Sequence, residues 1–253
     1  MSICAQNPIH QGPGGGEFFE SIQIEQLSDL EAFAASTTYP SGTLLFSEEQ
    51  IPKKVFFLLD GQVKLSVNSS DGKRFIICIA QPGEILGLAS ALNGNPYEMT
   101  AETLYACRIA SMERADFLTV LLHHASALNI AALALSKSYN QACARFRTLS
   151  GTPSVAAKVA RLLLEFSASG RPTKDGTRLC LALTHQEIGE CVGTCRESVS
   201  RVMCEFRRRK LIAMKGSILT IRDRTSLERY AASSTYGDRQ QSSWIRPTNR
   251  SVA

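Results

Sequence analysis

The stretch that decides the fold of the C-terminal half runs from Leu183 to Ile212 and reads LTHQEIGECVGTCRESVSRVMCEFRRRKLI. Thr184 and Glu187 match a capping box, in which an N-cap hydroxyl is followed three residues later by a glutamate. Thr194 and Glu197 repeat the pattern ten residues further on. The stretch therefore predicts two short helices in close succession.

Two glycines shape the connection between these helices. Gly193 supplies the backbone freedom that a sharp turn needs. Gly189 has no Cβ, so the two helices can approach closely at that point. Together with the two capping boxes, the glycines predict a helix-turn-helix.

The second predicted helix has a polar face and an apolar face. Helical spacing places Glu197, Ser200 and Arg201 on one side, with Arg196 in the first turn. A helix that projects arginine and glutamate from its N-terminal turns can read base edges in the DNA major groove. The alternative is that Glu197 only caps the helix and the arginines are solvated charges. The predicted buried side consists of Val199, Val202, Met203 and Phe206.

A basic run and a short hairpin follow the second helix. The run 207–210 reads RRRK, and Lys215-Gly216 forms a predicted turn before the alternating segment 217–221. Such a hairpin is a wing that would lie beside the phosphate backbone. Both features favour DNA binding over a solvated surface.

Charge is distributed unevenly along the 253 residues. Residues 1–150 hold 10 basic and 14 acidic residues, a net of −4, whereas residues 151–253 hold 18 and 9, a net of +9. An acidic half joined to a basic half indicates that the C-terminal half meets a polyanion. An ordinary polar surface is the alternative, and the coincidence with the helix-turn-helix argues against it.

Composition also bears on location. No stretch of eighteen apolar residues is present, so we expect no membrane span. The N-terminus lacks a basic segment followed by a long apolar one, so we expect no secretory signal and a cytoplasmic protein. In that compartment the eight cysteines are expected to be reduced.

From Thr38 to about Met112 the pattern is that of short strands. Runs such as VFFLL, QVKLSV and RFIICIA are separated by Asp60-Gly61, Asp71-Gly72 and Pro82-Gly83. Asp-Gly between apolar runs is a hairpin signal, and many short strands with glycine-containing turns indicate an antiparallel barrel or roll. Residues 18–36 favour short helices.

A long helix is predicted from about Arg114 to Leu149. Its apolar residues repeat with alternating spacings of four and three, which is the seam of a coiled coil. Packing of the helix on its own barrel is the alternative, and a helix between two domains favours a two-chain coiled coil. The predicted seam is Leu128, Ala132, Leu135, Tyr139, Ala142, Phe146 and Leu149.

These patterns divide the chain into five segments. Gly151-Thr152-Pro153 interrupts the long helix, and Ser154 caps a helix that opens the second domain. The predicted segments are a flexible arm (1–17), a β-roll (18–125), a dimerisation helix (126–150), a winged helix-turn-helix (151–232) and a disordered tail (233–253). The predicted fold class is α+β.

This organisation resembles the Crp/Fnr family of bacterial transcription regulators over roughly residues 18–225. The segment PGEILGLASALNGNPYEMTAET (82–103) is similar to the family's effector-pocket segment, and 183–212 is similar to its helix-turn-helix signature. The resemblance implies a cyclic-nucleotide-binding-like β-roll, a long dimerisation helix and a winged helix-turn-helix. It also implies a homodimer that binds double-stranded DNA and contacts RNA polymerase.

The resemblance assigns roles to the DNA-facing residues. Arg196, Glu197 and Arg201 match the family's Arg-Glu-x-x-x-Arg, which implies base reading, with Ser200 on the same face, at TGTGA-like half-sites in an inverted repeat. Contacts to phosphate position the helix without reading sequence. His185 stands where the cyclic-AMP type often has arginine. The implied phosphate-contacting residues are Thr184, His185, Gln186, Ser198 and Lys215.

The effector segment departs from the cyclic-AMP pattern. Leu88 stands at the position of the ribose-binding glutamate, and Glu98 stands at that of the phosphate-binding arginine. A carboxylate there repels a phosphate. We therefore expect no binding of cyclic AMP, and the effector is unknown. The segment's degenerate pocket residues are Gly87, Leu88, Ala89, Ser90, Glu98, Met99 and Thr100.

Other cofactors fit the sequence poorly. An iron-sulfur cluster needs several close N-terminal cysteines, and the arm has only Cys4, so Cys107 is expected to be a core residue. A metal shared by Cys191, Cys195 and Cys204 would distort the turn, so we expect no metal site. Cys195 is the best-placed candidate for a redox thiol, because a helix N-terminus lowers a thiol pKa. The candidates for a haem ligand are His10, His123 and His124.

We therefore expect an allosteric, DNA-binding transcription regulator without catalytic activity. A signal in the roll or at the seam would change the relative arrangement of the two winged domains. Two other readings remain open: a regulator that senses thiol oxidation or haem, and a cyclic-nucleotide-sensing module with an incidental helix-turn-helix.

Overall fold

The structure of the protein is a computed structural model that describes residues 36–151 and 154–232. Most of the predicted helical segment 18–36, the arm with Cys4 and His10, and the tail from 233 lie outside the described residues. Ser36 is described, and it begins a strand instead of ending a helix.

The N-terminal part of the described chain is an antiparallel β-roll, as predicted. It consists of two four-stranded sheets with strand orders β1-β8-β3-β6 and β2-β7-β4-β5, and a short helix, α1, follows β6. The elements are β1 Ser36–Tyr39, β2 Leu44–Phe46, β3 Lys54–Asp60, β4 Val63–Asn68, β5 Arg74–Ala80, β6 Ile85–Leu86, α1 Leu88–Asn93, β7 Thr100–Thr103 and β8 Cys107–Glu113.

The two Asp-Gly signals have different outcomes. Asp71-Gly72 joins β4 and β5, which pair with each other, so that hairpin is confirmed. Asp60-Gly61 joins β3 and β4, which belong to different sheets, so the hairpin predicted there is wrong. Gly61 has φ 91°, and a Cβ on it would lie 2.6 Å from the Cys107 sulfur. The chain therefore uses this glycine to turn a tight corner between sheets.

The predicted single helix from about Arg114 to Leu149 is wrong. It is two helices, α2 (Arg114–His123) and α3 (Ala125–Gly151), bent by 115°. His124 separates them with extended backbone angles (φ −127°, ψ 100°). The bend follows from packing, because Phe117 of α2 is fully buried against Phe57 of the roll, with ring centroids 6.2 Å apart.

α3 packs on the roll through one side. Ala127 and Ala131 are buried against it, whereas Leu128 is 52% exposed, Tyr139 71% and Phe146 72%. Ala132 and Ala142 are also exposed, and Leu135 is half-buried against the roll. The side chain of Leu149 is outside the described residues. Most of the predicted seam therefore faces away from the roll of the same chain.

The C-terminal part is a winged helix-turn-helix with a four-stranded sheet of order β11-β12-β10-β9. Ser154 caps its first helix by accepting a 3.1 Å hydrogen bond from the Ala157 amide, as predicted. The elements are α4 Val155–Phe166, a 3₁₀ turn Ser167–Ser169, β9 Arg171–Thr173, β10 Gly176–Cys180, α5 His185–Val192, α6 Arg196–Arg208, β11 Ile212–Lys215, β12 Ile218–Ile221 and α7 Arg224–Ala232.

Across the described ranges, no single helix combines the length and hydropathy that a membrane crossing requires. α2 and the first part of α3 reach them only when taken together as a bent pair.

Candidate nucleic-acid interface

α5 begins with the predicted capping box. The Glu187 amide donates to the Thr184 hydroxyl at 3.2 Å, and the Thr184 amide donates to Glu187 Oε2 at 2.8 Å. Two backbone N–H groups that would lack partners at the helix start are thereby satisfied. The capping box fixes the end of α5 that carries three of the predicted phosphate contacts.

The turn between α5 and α6 depends on both predicted glycines. Gly193 has φ 68° and ends α5 in the left-handed conformation. A Cβ on Gly189 would lie 2.6 Å from the Thr194 carbonyl oxygen, a distance that real Cβ atoms essentially never show. The Thr194 amide donates to the Gly189 carbonyl at 2.9 Å. Close approach at Gly189 is therefore confirmed.

The second predicted capping box is wrong. Cys195, not Thr194, is the N-cap of α6, and its side chain makes no capping hydrogen bond. The reason is that the Thr194 amide closes the turn on Gly189, so the helix starts one residue later. The Cys195 sulfur instead lies 3.2 Å from the Ser198 hydroxyl.

α6 separates an anchored side from an open side. Val199, Met203 and Phe206 are fully buried, as predicted, and Val202 is half-buried. The ring of Phe206 packs edge-on against the ring of Tyr230, with centroids 5.1 Å apart. The open side presents the exposed residues Arg196, Glu197 and Arg201.

Glu197 is held ionised at the start of α6. Its own backbone amide, then the Cys195 thiol, and then the charges of Arg196 and Arg201 keep the pKa of its carboxyl below the usual value. The helix N-terminus favours the anionic form for the same reason. Glu197 is therefore a hydrogen-bond acceptor flanked by two guanidinium donors, Arg196 and Arg201.

Ser200 occupies a different environment from the exposed arginines. It is half-buried, and its hydroxyl lies 2.9 Å from Nδ1 of His185. This contact joins α6 to the first turn of α5. The structure thus groups Ser200 with His185 and leaves Arg196, Glu197 and Arg201 as the open set.

The predicted phosphate-contacting residues lie at two places. Thr184, His185 and Gln186 line an open depression of about 350 Å³ together with Arg196. Lys215 is exposed at the tip of the β11–β12 hairpin, where Gly216 has φ 60°, so the predicted wing is confirmed. The remaining member of the set, Ser198, is half-buried in the first turn of α6.

The basic run 207–210 is partly neutralised by a glutamate of α6. Glu205 pairs with Arg208 at 2.7 Å and also with Arg209. The Arg209 guanidinium additionally lies 5.7 Å from the centre of the Tyr230 ring. Sequence reasoning missed Glu205, although its spacing of three and four residues from the arginines is a helical pairing signal.

The effector-like segment surrounds a residue that the sequence did not single out. Tyr97 is 3% exposed, its ring stacks on Phe46 at 4.0 Å, and its hydroxyl donates to the Lys54 carbonyl at 2.6 Å. A Cβ on Gly87 would lie 2.7 Å from the Tyr97 ring. Burial raises the pKa of Tyr97, so the ring is neutral.

The predicted pocket residues of this segment divide between interior and surface. Leu88 is buried, Ala89 and Met99 are half-buried, and Glu98 is exposed. The Ser90 hydroxyl donates to the Pro96 carbonyl at 3.2 Å. The Thr100 hydroxyl accepts from the Glu48 amide at 3.0 Å.

The cysteines and histidines show no gathered ligand set in the part of the chain that the structure describes, where no three His, Cys, Asp or Glu residues could hold a metal ion. Cys107 is a buried core residue, as predicted, and burial raises the pKa of its thiol. Cys191 is buried, while Cys195 and Cys204 are exposed. His123 contacts the Thr119 carbonyl of its own helix at 2.8 Å.

Comparison with known proteins agrees with this geometry. The family model for the cyclic nucleotide-binding domain matches residues 36–124, and that for the Crp-like helix-turn-helix domain matches residues 157–230. The two models together cover more than half of the chain. The first model covers the β-roll together with α2, and the second covers the winged helix-turn-helix.

Relatives match over most of their length. A CRP-like cAMP-activated global transcriptional regulator of Mycobacterium tuberculosis is 24% identical over 218 residues, covering 84% of this chain and 95% of the relative. The transcriptional activatory protein AadR of Rhodopseudomonas palustris is 27% identical over 219 residues, covering 85% and 82%. A CRP-family transcriptional regulator structure from Thermus thermophilus is 25% identical, with TM-score 0.68 and coverage of 78% and 97%. The chain is thus a helix-turn-helix, DNA-binding protein and belongs to the Crp/Fnr family of transcription regulators.

Proposed function

We propose that the chain acts as a homodimer that binds an inverted-repeat DNA site through α6. The observation that carries this proposal is the division of that helix. Val199, Met203 and Phe206 anchor it in the domain core, and Arg196, Glu197 and Arg201 stand on its open side. Arginine can donate two hydrogen bonds to guanine, and glutamate can accept one from the cytosine amino group. We infer half-sites similar to TGTGA from the family resemblance.

The exposed stripe of α3 supports the homodimer. Leu128 and Tyr139 turn away from the roll, on which Ala127 and Ala131 already pack. An apolar seam at heptad spacing is stabilised by a second helix of the same kind. A two-fold dimer presents two recognition helices, so its site is an inverted repeat.

The residues around the start of α5 and the wing are the proposed phosphate contacts. Thr184, His185 and Gln186 border the open depression beside Arg196, and Lys215 extends from the hairpin. Ser198 completes the set in the first turn of α6. Such contacts fix the register of the protein on DNA, while the exposed residues of α6 read the bases.

We infer that the controlling signal is not cyclic AMP, although the name of the M. tuberculosis relative says that cyclic AMP activates it. Tyr97 packs on Phe46 within the roll, Leu88 adds an apolar side chain and Glu98 adds a carboxylate. Thermal unfolding with and without millimolar cyclic AMP tests this inference. We expect an unchanged melting temperature, and a rise that grows with ligand concentration would contradict it.

A thiol signal is a second candidate, favoured by the position of one cysteine. Cys195 is exposed at the first turn of the recognition helix, beside Ser198 and next to Arg196. Alkylation of the wild type and of Cys195→Ser, followed by DNA titration, decides this candidate. Equal DNA affinity of both alkylated proteins would eliminate Cys195 as the sensor.

RNA polymerase is the protein partner that the family resemblance implies.

Arg201→Ala tests the reading face. We expect a loss of about 1–3 kcal/mol of discrimination between a bound site and the same site altered at one guanine. Arg208→Ala is the matched control, because it removes the same charge from the last turn of the same helix, where Glu205 pairs it. The measurement is fluorescence anisotropy on both duplexes. Unaltered discrimination in Arg201→Ala would show that another face of α6 reads the bases.

A further inference from the structure

The winged domain packs directly on the roll of the same chain. Ile76, Ile79 and Leu104 of the roll belong to the same apolar cluster as the core of the winged domain. The Tyr105 hydroxyl accepts from the Ala182 amide at 3.2 Å and donates to the Cys180 carbonyl at 3.3 Å. The contact brings β5 of the roll against α5 of the helix-turn-helix.

A cluster of charged side chains lies in this contact. Lys64 Nζ is 2.7 Å from Glu187 Oε1 and 2.9 Å from Glu102 Oε1, and the lysine side chain is only 7% exposed. Arg74 Nη2 donates to Glu102 Oε2 at 2.9 Å, and Arg74 Nε lies 4.0 Å from Glu190 Oε2. Three carboxylates therefore share two cations at the joint between the domains.

The Glu187 carboxylate takes part in two sets of contacts at once. Its Oε1 accepts from Lys64 of the roll, while its Oε2 accepts from Thr184 in the capping box. Burial alone would raise the pKa of Glu187, but the hydrogen bonds from Lys64 and Thr184 outweigh it and hold the pKa below its usual value. A single ionised carboxylate thus connects the roll to the end of α5 proposed to contact phosphate.

Lys64 is the centre of this arrangement. Burial would lower its pKa, but the hydrogen bonds to Glu187 and Glu102 raise it above the usual value, so the side chain is charged. Without that charge, Arg74 would be the cation that remains paired with these three carboxylates (Glu102, Glu187 and Glu190) among the residues that the structure describes. Removal of one partner from a buried ion pair leaves uncompensated charge, which drives the groups apart.

We propose that Lys64 is a positioning residue of the DNA interface, which holds α5 on the roll of its own chain so that the two recognition helices of a dimer meet an inverted repeat as a preset pair. This inference rests on the proposed function. Lys64 itself need not touch DNA. When the winged domains are no longer held on the rolls, each one still binds a single half-site with the wild-type affinity. The dimer, however, spends less time in the arrangement in which both recognition helices fit the inverted repeat.

The test compares the wild type, Lys64→Met and Lys54→Met on two duplexes. One duplex carries the inverted repeat selected by the wild type from random DNA, and the other carries the same sequence with one half-site scrambled. Lys54→Met is the matched control, because it breaks an exposed 3.2 Å pair with Glu113 on the same roll. The preference is the ratio of affinity for the inverted repeat to affinity for the scrambled duplex. We expect this ratio to fall about tenfold in Lys64→Met, because the arrangement that fits both half-sites would fall to about a tenth of its population.

Two further results separate positioning from a damaged fold. Affinity for the single half-site should stay unchanged in Lys64→Met. Glu187→Gln in the Lys64→Met background should restore most of the preference, since glutamine preserves a capping box and removes one uncompensated charge. Equal loss on both duplexes, or no loss on either, would overturn the proposal.

Amide hydrogen exchange of the free protein provides a measurement that needs no DNA. Exchange across α5 and β5 should accelerate in Lys64→Met and not in Lys54→Met. Unchanged exchange would overturn the proposal. A wild type without any preference for an inverted repeat would contradict the proposed function instead, and the exchange result would still decide whether Lys64 holds the two domains together.

Discussion

Replacing Gly189 by alanine should weaken the helix-turn-helix, although the same change stabilises most helices. In an exposed helix interior, alanine gains about 1 kcal/mol over glycine. At Gly189, however, the new Cβ would lie 2.6 Å from the Thr194 carbonyl oxygen, which is a backbone atom and cannot rotate away. Forced overpacking of a buried site costs about 1–3 kcal/mol.

Moving the two backbone segments apart to make room for the new Cβ would also lengthen the 2.9 Å hydrogen bond from the Thr194 amide to the Gly189 carbonyl. Such a bond contributes about 1 kcal/mol. After the helical gain is subtracted, the free energy of unfolding should fall by about 1–3 kcal/mol. Because the turn sets the angle between α5 and α6, affinity for a specific duplex should fall as well.

Urea denaturation and anisotropy titration measure these two effects. Gly72→Ala is the control, because its site has open space around the new Cβ and a φ of 76°. That variant should lose about 1–2 kcal/mol through its left-handed conformation and keep its DNA affinity. A Gly189→Ala protein as stable as the wild type, or more stable, would refute the reasoning from close approach.

Three further predictions concern charge and backbone conformation. Lys210 has φ 59° just after α6, so Lys210→Gly should raise the free energy of unfolding by about 1 kcal/mol in urea denaturation; no gain would contradict the assigned strain. The lowered pKa of Glu187 contributes stability that is present above about pH 4.5 and is lost as pH falls through the folded-state pKa, so Glu187→Gln should lose less stability than the wild type between pH 5 and pH 3. Equal acid sensitivity would contradict this. Lys215→Ala should weaken binding to all duplexes and reduce the slope of log affinity against log salt by about one, and an unchanged slope would exclude a phosphate contact.

Local signals predicted the helix-turn-helix well. The capping box at Thr184, the turn glycine Gly193 and the wing turn at Lys215-Gly216 all depend on residues close together in sequence. The second capping box was wrong because the Thr194 amide is used by the turn itself. A competing backbone partner five residues away was enough to move the helix start.

Signals that depend on distant partners were less informative. The helical pattern continues through His124 without a proline or glycine, yet the chain bends there because Phe117 is buried against Phe57, sixty residues earlier. Asp60-Gly61 resembles a hairpin turn, but β3 pairs with β8 and β6 and not with β4. Which strands pair is decided by the whole roll.

The candidate site shows the same division. The open residues of α6 could be predicted from helical spacing, because their neighbours lie in the same helix. The pairing of Lys64 with Glu187 spans 123 residues and leaves no local pattern in the sequence. Tyr97 also escaped notice, since its stacking on Phe46 depends on how the sheets close.

Selection of bound sequences from a random duplex pool tests the central claim most directly. The account predicts a two-fold symmetric motif whose half-site centres lie one helical turn apart, about 10–10.5 base pairs, or a multiple of it. It also predicts two chains per duplex in sedimentation of the selected complex. A single asymmetric motif bound by one chain, or enrichment of no sequence at all, would contradict it.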